Sequence, residues 1–284
     1  MAPYIETMPQ QPSVNGTRLF YELSRSGDPL VLVHGSWVDH KDWQLVVPSL
    51  TKSFRVHTYD RRGHSLSERP LGPGSRREDE EDLAALIEAL DLAPAHVAAH
   101  SFGASTALGL VARRPDLFRS LLVHEAPLMG IVADDAKLRP LMKELQDGFE
   151  SVLGQLRAGD IAGGTRRFVE EIALGPGMWE QLPEEIRQTL MNNAPTFLDE
   201  LQDTRWADLS KLSSFSSLAL LTAGGLWPPA IVPEDHEQAR RCYRWGRAAH
   251  FRGRRARATP DASRRICSRC CGVHPRPLGE EVCA

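Results

Sequence analysis

A serine stands at the centre of residues 99–103, which read Ala-His-Ser-Phe-Gly. The run separates a short apolar segment typical of a strand from a segment of small residues typical of a helix. It approximates the Gly-x-Ser-x-Gly turn, and alanine in place of the first glycine is still small. Such a turn would present the Ser101 hydroxyl as a nucleophile and leave backbone N–H groups at the helix N-terminus to stabilise an oxyanion. The alternative is a serine that only caps a helix, because serine is a favoured N-cap residue.

Two further loops carry residues that could complete a site around this serine. Residues 34–37, His-Gly-Ser-Trp, follow the first buried strand, and glycine there lets the chain turn close to the site. We expect the N–H groups of Ser36 and Phe102 to be the two oxyanion donors, whereas His34 bonds the loop backbone. Residues 59–65, Tyr-Asp-Arg-Arg-Gly-His-Ser, follow the next strand and on their own read as a solvated charged loop.

The order of these three motifs resembles that of the α/β-hydrolase superfamily over residues 14 to about 226. The resemblance implies hydrolysis of a small ester, thioester, lactone or activated carbon–carbon substrate through an acyl-serine intermediate, with no cofactor and no metal. A serine nucleophile counts against the branches that use aspartate at this turn, the epoxide hydrolases and haloalkane dehalogenases. Two alternatives stay open: a catalytically inactive protein of this fold, and a protein that binds a small ligand without converting it.

The resemblance also implies where the rest of a Ser-Asp/Glu-His triad lies. The family's acid commonly follows the strand that we place at residues 218–221, but Gly225 stands where aspartate is expected. The other family position follows the preceding strand, so Glu125 is the acid that the resemblance implies. The base must lie near the C-terminus, where His250 is nearest to the expected position. No glycine turn aims His250 at the serine, and we therefore expect weak activity or none.

The elements that must position these residues alternate between strand and helix. The chain has 284 residues, of which 42% are hydrophobic and 25% charged, and this excludes wholly disordered and collagen-like proteins. The alternation predicts an α/β fold with a mostly parallel, doubly wound sheet. Its core would comprise residues 14–126 and 209–226, with residues 127–208 as a helical cap. Four cap residues are candidate apolar pocket walls or ordinary cap core: Met178, Trp179, Phe197 and Trp206.

Residues 227–284 differ from the rest of the chain in composition. They contain twelve arginines, no lysine and all five cysteines. We expect a poorly ordered, non-homologous tail that leaves the sheet edge uncovered, and we favour a shifted reading frame near residues 226–231 as its origin. The cysteine spacing does not favour zinc, and the arginine run does not favour nucleic acid.

The sequence also bears on partners and location. No run approaches the roughly 20 apolar residues of a membrane helix, and residues 1–10 show neither the basic nor the apolar region typical of a signal peptide. We therefore expect a cytoplasmic protein whose partner is a small-molecule substrate, with neither a membrane nor a nucleic acid as a partner.

Overall fold

A seven-stranded sheet forms the centre of the computed structural model, which describes residues 12–24, 26–70, 72, 74–127, 136, 138–202, 211–212, 215–222 and 249–251. A small antiparallel hairpin, β1 (Ser13–Val14) and β2 (Thr17–Arg18), precedes it. The strands of the sheet are β3 (Tyr21–Leu23), β4 (Asp28–Val33), β5 (Phe54–Tyr59), β6 (Ala95–His100), β7 (Phe118–His124), β8 (Leu218–Thr222) and β9 (Ala249–Phe251). Their order is β3-β5-β4-β6-β7-β8-β9, and only the outer strands β3 and β9 run antiparallel to their neighbours. The predicted α/β fold with a mostly parallel sheet is confirmed.

Helices lie between the strands and in one long insertion. They are α1 (Val47–Leu50), α2 (Arg76–Ala89), α3 (Ser101–Val111), α4 (Arg139–Arg157), α5 (Ile161–Arg167), α6 (Met178–Gln181), α7 (Glu184–Asn193) and α8 (Thr196–Gln202). A π-helical segment, Phe168–Ala173, follows α5, and two short 3₁₀ helices span His40–Trp43 and Pro115–Leu117. Ser75 is the N-cap of helix α2: its Oγ accepts the N–H of Glu78 and donates to the Glu78 carboxylate. No helix in the described part of the chain is long and apolar enough to cross a membrane.

The main hydrophobic core lies between the sheet and the pair α2 and α3. Alternate residues of β6, such as Val97 and Ala99, face it, and α3 contributes mostly small residues. A histidine is also buried in β5: His57 is 3% exposed, and neither of its ring nitrogens has a hydrogen-bond partner among the described residues. Burial, with a smaller contribution from the charge of Arg55, lowers the pKa of His57 to about 4. The sheet therefore carries a neutral histidine in a position typical of an apolar residue.

The helices from α4 to α8, here called the helical insertion, lie between β7 and β8 and have their own core. Phe197 belongs to that core, and Met178 and Trp179 pack against it. Ordinary core packing was one of the two interpretations that the sequence leaves open for these side chains. Trp206 lies outside the described residues.

The tail is described only at β9. Its residues pair antiparallel with β8, with His250 opposite Leu220. The expectation of an irregular tail that leaves the sheet edge uncovered is wrong at these three residues. Apolar periodicity, which the tail lacks, is not required for an added strand, because backbone N–H and C=O groups make the ladder. The remainder of the predicted poorly ordered tail lies outside the described residues.

Candidate active site

Ser101 is the first residue of α3 and follows β6 directly. Its φ of +52° lies in the left-handed region that residues with a side chain seldom adopt. Gly103 explains how so tight a turn fits, because a Cβ atom there would lie 2.7 Å from the carbonyl oxygen of Val33 and closer still to that of His34. Only glycine lets the first turn of α3 approach the end of β4 this closely. Strained backbone of this kind occurs preferentially at functional sites.

The loop after β4, residues 34–37, lies directly against this turn. A Cβ atom on Gly35 would be 2.9 Å from the Cβ atom of Ser101, so the contact requires glycine. Ser36 and Phe102 are both half-buried beside it. The first N–H groups of an α-helix have no intrahelical acceptor, which leaves the Phe102 N–H for a ligand. The structure thus brings both expected oxyanion donors to the end of the sheet at which Ser101 lies.

His34 connects two loops through its ring. Its Nδ1 donates to the carbonyl oxygen of Gly35 at 2.8 Å, and its Nε2 accepts the backbone N–H of Arg61 at 2.8 Å. Burial lowers the pKa of His34 well below its usual value, and the neighbouring His64 and Arg61 lower it further. A neutral ring with both nitrogens occupied holds the loop and is not available as a base, which agrees with the expected backbone-bonding role.

The loop after β5 is buried, although its residues alone read as a solvated charged loop. Asp60, Arg61 and His64 are 0%, 1% and 1% exposed. Asp60 Oδ1 accepts the backbone N–H of His40 at 2.8 Å and lies 2.7 Å from its Nδ1. His64 Nε2 lies 3.0 Å from the hydroxyl oxygen of Thr196 in α8. These polar groups are buried because distant parts of the chain supply their partners.

Asp39, His40 and Asp60 are the one group of three potential metal ligands found among the described residues. Their ligand atoms are already in use: Asp39 accepts the N–H of Lys41 at 2.9 Å and the hydroxyl of Ser65 at 3.0 Å, while His40 bonds to Asp60. Burial alone would lower the pKa of His40, but the hydrogen bond and charge of Asp60 outweigh it and raise that pKa. The group is an internal hydrogen-bond network and does not point to a metal.

A buried ion cluster lies beside residues 34–37, here called the oxyanion loop after their expected role, and the sequence did not predict it. Arg61 Nη2 lies 3.0 Å from Oδ2 of Asp79 on α2 and 2.5 Å from Oε1 of Glu200 on α8. Burial raises the pKa of both carboxyl groups, and the charge of Arg61 opposes that shift. Arg61 and Glu200 are 139 positions apart, so no local spacing signals the pair.

The helical insertion holds the oxyanion loop from another side. Trp37 is fully buried at a φ of +70°, and its ring stacks on Phe168 with centroids 4.5 Å apart. Phe197 lies 4.9 Å from the same ring. Asn193 of α7 donates from Nδ2 to the carbonyl oxygens of Trp37 and Val38, each at 3.1 Å. The loop and the insertion therefore share one core.

Glu125 follows β7 as Ser101 follows β6. The two strands pair in parallel with His100 opposite His124, so Ser101 and Glu125 come next at the same end of neighbouring strands, which are about 5 Å apart. Glu125 has a φ of +51°, and its N–H donates to the carbonyl oxygen of Thr222 at 2.9 Å. Its carboxylate is half-buried and lies 3.8 Å from Nε2 of His124. This placement is compatible with the expected acid.

Comparison with known proteins identifies the family of this chain. A model of the alpha/beta hydrolase family matches residues 30–275. The chain belongs to the alpha/beta hydrolase family. The match continues past residue 226 into the tail that the composition predicts to be non-homologous.

Several known proteins are similar to this chain. The dihydrolipoyllysine-residue acetyltransferase component of the acetoin cleaving system of Pseudomonas putida is 38% identical over 231 residues, which is 80% of this chain and 60% of that protein. A non-heme chloroperoxidase of Streptomyces lividans is 34% identical over 149 residues, covering 51% of this chain and 54% of that protein. The chain thus spans between half and two thirds of the length of these relatives. The crystal structure of an alpha/beta hydrolase from Sphaerobacter thermophilus has a TM-score of 0.62 and 27% identity, covering 78% of this chain and 84% of that one.

None of the described residues can be assigned as the base of an alpha/beta hydrolase triad. His250 lies on β9 opposite Leu220, two residues before the end of β8. Three strand spacings separate β9 from β6, about 14 Å, whereas a general base must come within about 3 Å of the proton that it removes. The structure does not bring the His250 backbone to the Ser101 end of the sheet. Two other tail histidines, His236 and His274, lie outside the described residues.

Proposed function

We propose that this chain is a serine hydrolase that cleaves a small ester or thioester through an acyl-serine intermediate on Ser101. The observation that carries the proposal is the strained Ser101 turn with the Gly35–Ser36 loop packed against it. The Ser101 hydroxyl attacks the acyl carbon, and the N–H groups of Ser36 and Phe102 stabilise the oxyanion. The ester C–O or thioester C–S bond then breaks, and the alcohol or thiol leaves with the serine proton. Water attacks the acyl-serine, which releases the acid and restores the Ser101 hydroxyl. Lactones and activated carbon–carbon substrates use the same steps and stay within the proposed substrate class.

The activity of the chain as written is proposed to be low. A serine hydroxyl is a poor nucleophile without an adjacent base. Triad order places the base after the acid, and after Glu125 the described residues contain only His250, which lies on the distant strand β9. Attack by Ser101 without a base is then assisted only by oxyanion stabilisation and substrate binding, which together are worth about 10³-fold over water. Glu125 remains the proposed acid, since it ends the strand next to the one that leads into Ser101.

Acyl transfer to a thiol is the second candidate function. It rests on the 38% identity with a protein whose name is that of a dihydrolipoyllysine-residue acetyltransferase component. Hydrolysis and acyl transfer share the acyl-serine intermediate and differ only in the acceptor, which is water in one reaction and a thiol in the other. A reduced lipoyl thiol is therefore the acceptor to test.

The experiment compares two serine-to-alanine variants of the same helix. Ser101→Ala should abolish the release of p-nitrophenol from p-nitrophenyl acetate. Ser105→Ala is the matched control, because Ser105 lies one turn further along α3, is 5% exposed and has an Oγ without a hydrogen-bond partner. It should retain the wild-type rate, since removing an unpartnered buried hydroxyl is nearly neutral.

A second arm of the experiment adds dihydrolipoamide to the wild type. Formation of S-acetyl-dihydrolipoamide that depends on Ser101 would favour acyl transfer over hydrolysis. Equal turnover in Ser101→Ala and wild type would refute the serine mechanism. An absence of turnover together with thermal stabilisation by small esters would favour the ligand-binding alternative, and an absence of both would favour the inactive one.

A further inference from the structure

The peptide unit between Gly35 and Ser36 is held at its carbonyl end. The Gly35 carbonyl oxygen accepts hydrogen bonds from Arg61 Nη1 at 3.0 Å and from His34 Nδ1 at 2.8 Å. A trans peptide is planar, with its C=O and N–H pointing in opposite directions. Fixing the Gly35 carbonyl therefore fixes the direction of the Ser36 N–H, which is one of the two proposed oxyanion donors. A rotation of this peptide would turn that donor away.

Arg61 also contacts the second proposed donor residue. Its guanidinium carbon lies 4.8 Å from the centroid of the Phe102 ring. The guanidinium is 1% exposed and is held between Asp79 of α2 and Glu200 of α8. The planar guanidinium thus reaches the carbonyl, the ring and two carboxylates at once, an arrangement that a single lysine ammonium does not reproduce.

Glu200 brings the helical insertion into this arrangement. Besides its ion pair with Arg61, its carboxyl group is near enough to the Ser36 side chain for that side chain to lower the pKa of Glu200. It therefore lies beside both the residue that holds the peptide and the residue that provides the donor. Asp79 shares the guanidinium but belongs to α2, outside the insertion.

We propose that Arg61 is a positioning residue that orients the Gly35–Ser36 peptide as an oxyanion donor, and that Glu200 couples the helical insertion to this orientation. Only the expected effect on catalysis rests on the proposed function. The orientation of the peptide can be measured whether or not the chain turns over a substrate.

The test compares Arg61→Lys with Arg62→Lys. Arg62 makes an equally close ion pair, with Asp82 at 2.6 Å, but it belongs to a different cluster. Both variants keep the charge and lose the guanidinium. In Arg61→Lys, ¹H–¹⁵N relaxation dispersion should show microsecond-to-millisecond exchange at the Ser36 amide that wild type and Arg62→Lys lack. The kcat for p-nitrophenyl acetate should fall about 10-fold or more, with KM nearly unchanged, since loss of one oxyanion donor costs roughly 10²–10³ in kcat.

A second pair of variants covers the case in which Arg61→Lys does not fold. Glu200→Gln and Asp79→Asn each neutralise one partner of the same guanidinium, but of the two carboxyl groups it is that of Glu200 whose pKa the Ser36 side chain influences. Exchange at the Ser36 amide should be larger in Glu200→Gln than in Asp79→Asn. A Ser36 amide signal identical in wild type, Arg61→Lys and Glu200→Gln would overturn the inference. Absence of Ser101-dependent turnover in wild type would instead refute the proposed function and leave the amide measurement as the deciding result.

Discussion

The buried His57 should make the free energy of unfolding depend on pH. Its pKa is lowered by burial from 6.5 to about 4 in the folded chain. As the pH falls below 6.5, the unfolded chain takes up the proton and the folded chain does not, so the stability falls. The loss from this one group is about 2 kcal/mol at pH 5 and about 3 kcal/mol below pH 4, at about 1.4 kcal/mol per pKa unit.

Urea denaturation of wild type and His57→Leu, each at about pH 7.5 and about pH 5, measures this contribution. All other titrating groups are common to the two proteins, so the difference between their pH dependences isolates His57. The stability of wild type should fall by about 2 kcal/mol more than that of His57→Leu between these two pH values. At the higher pH the variant should be at least as stable, because leucine removes two buried nitrogens that have no partners. Identical pH dependence of the two proteins would refute the reasoning.

Three further predictions concern the site and its surroundings. Asn193→Ala should lower the free energy of unfolding by about 1–3 kcal/mol in urea, because it leaves two buried loop carbonyls without their donor, whereas Ala at the exposed Asn192 should change it little. His250→Ala should leave the Ser101-dependent rate within about 2-fold of wild type, since β9 lies three strands away; abolished activity would identify His250 as the base after all. Expression of the gene in the shifted frame after codon 226 should raise the esterase rate by several orders of magnitude over the chain as written, and equal rates of the two proteins would contradict the missing-histidine explanation.

The sequence predicts the Ser101 turn and its partner loop well because both depend on local requirements. A small residue is needed two positions before and two positions after the nucleophile, and a glycine must follow the strand that ends beside it. The structure shows the steric reason at Gly35 and Gly103, where a Cβ atom would collide with a neighbour.

Other features could not be predicted because they depend on distant partners. The loop at residues 59–65 reads as solvated until Asp79 and Glu200 are placed around Arg61. The distance in sequence from Arg61 to either carboxylate follows no helix or strand repeat, so the sequence pattern does not reveal these ion pairs. The strand β9 was missed for a different reason: an edge strand can form through backbone pairing alone, without a distinctive side-chain pattern.

The shared core of the oxyanion loop and the helical insertion has a consequence for how members of this family exchange parts. The ring of Trp37, a residue of the loop, packs among the rings of the insertion, and Glu200 of the insertion holds Arg61. A chimera that carries the insertion of another family member would therefore lose contacts that support its own oxyanion loop. To keep those contacts, residues 34–37 and Arg61 would have to be transferred together with the insertion. The helical insertion and residues 34–37 therefore form one structural unit, and recombination at the ends of the insertion alone would divide it.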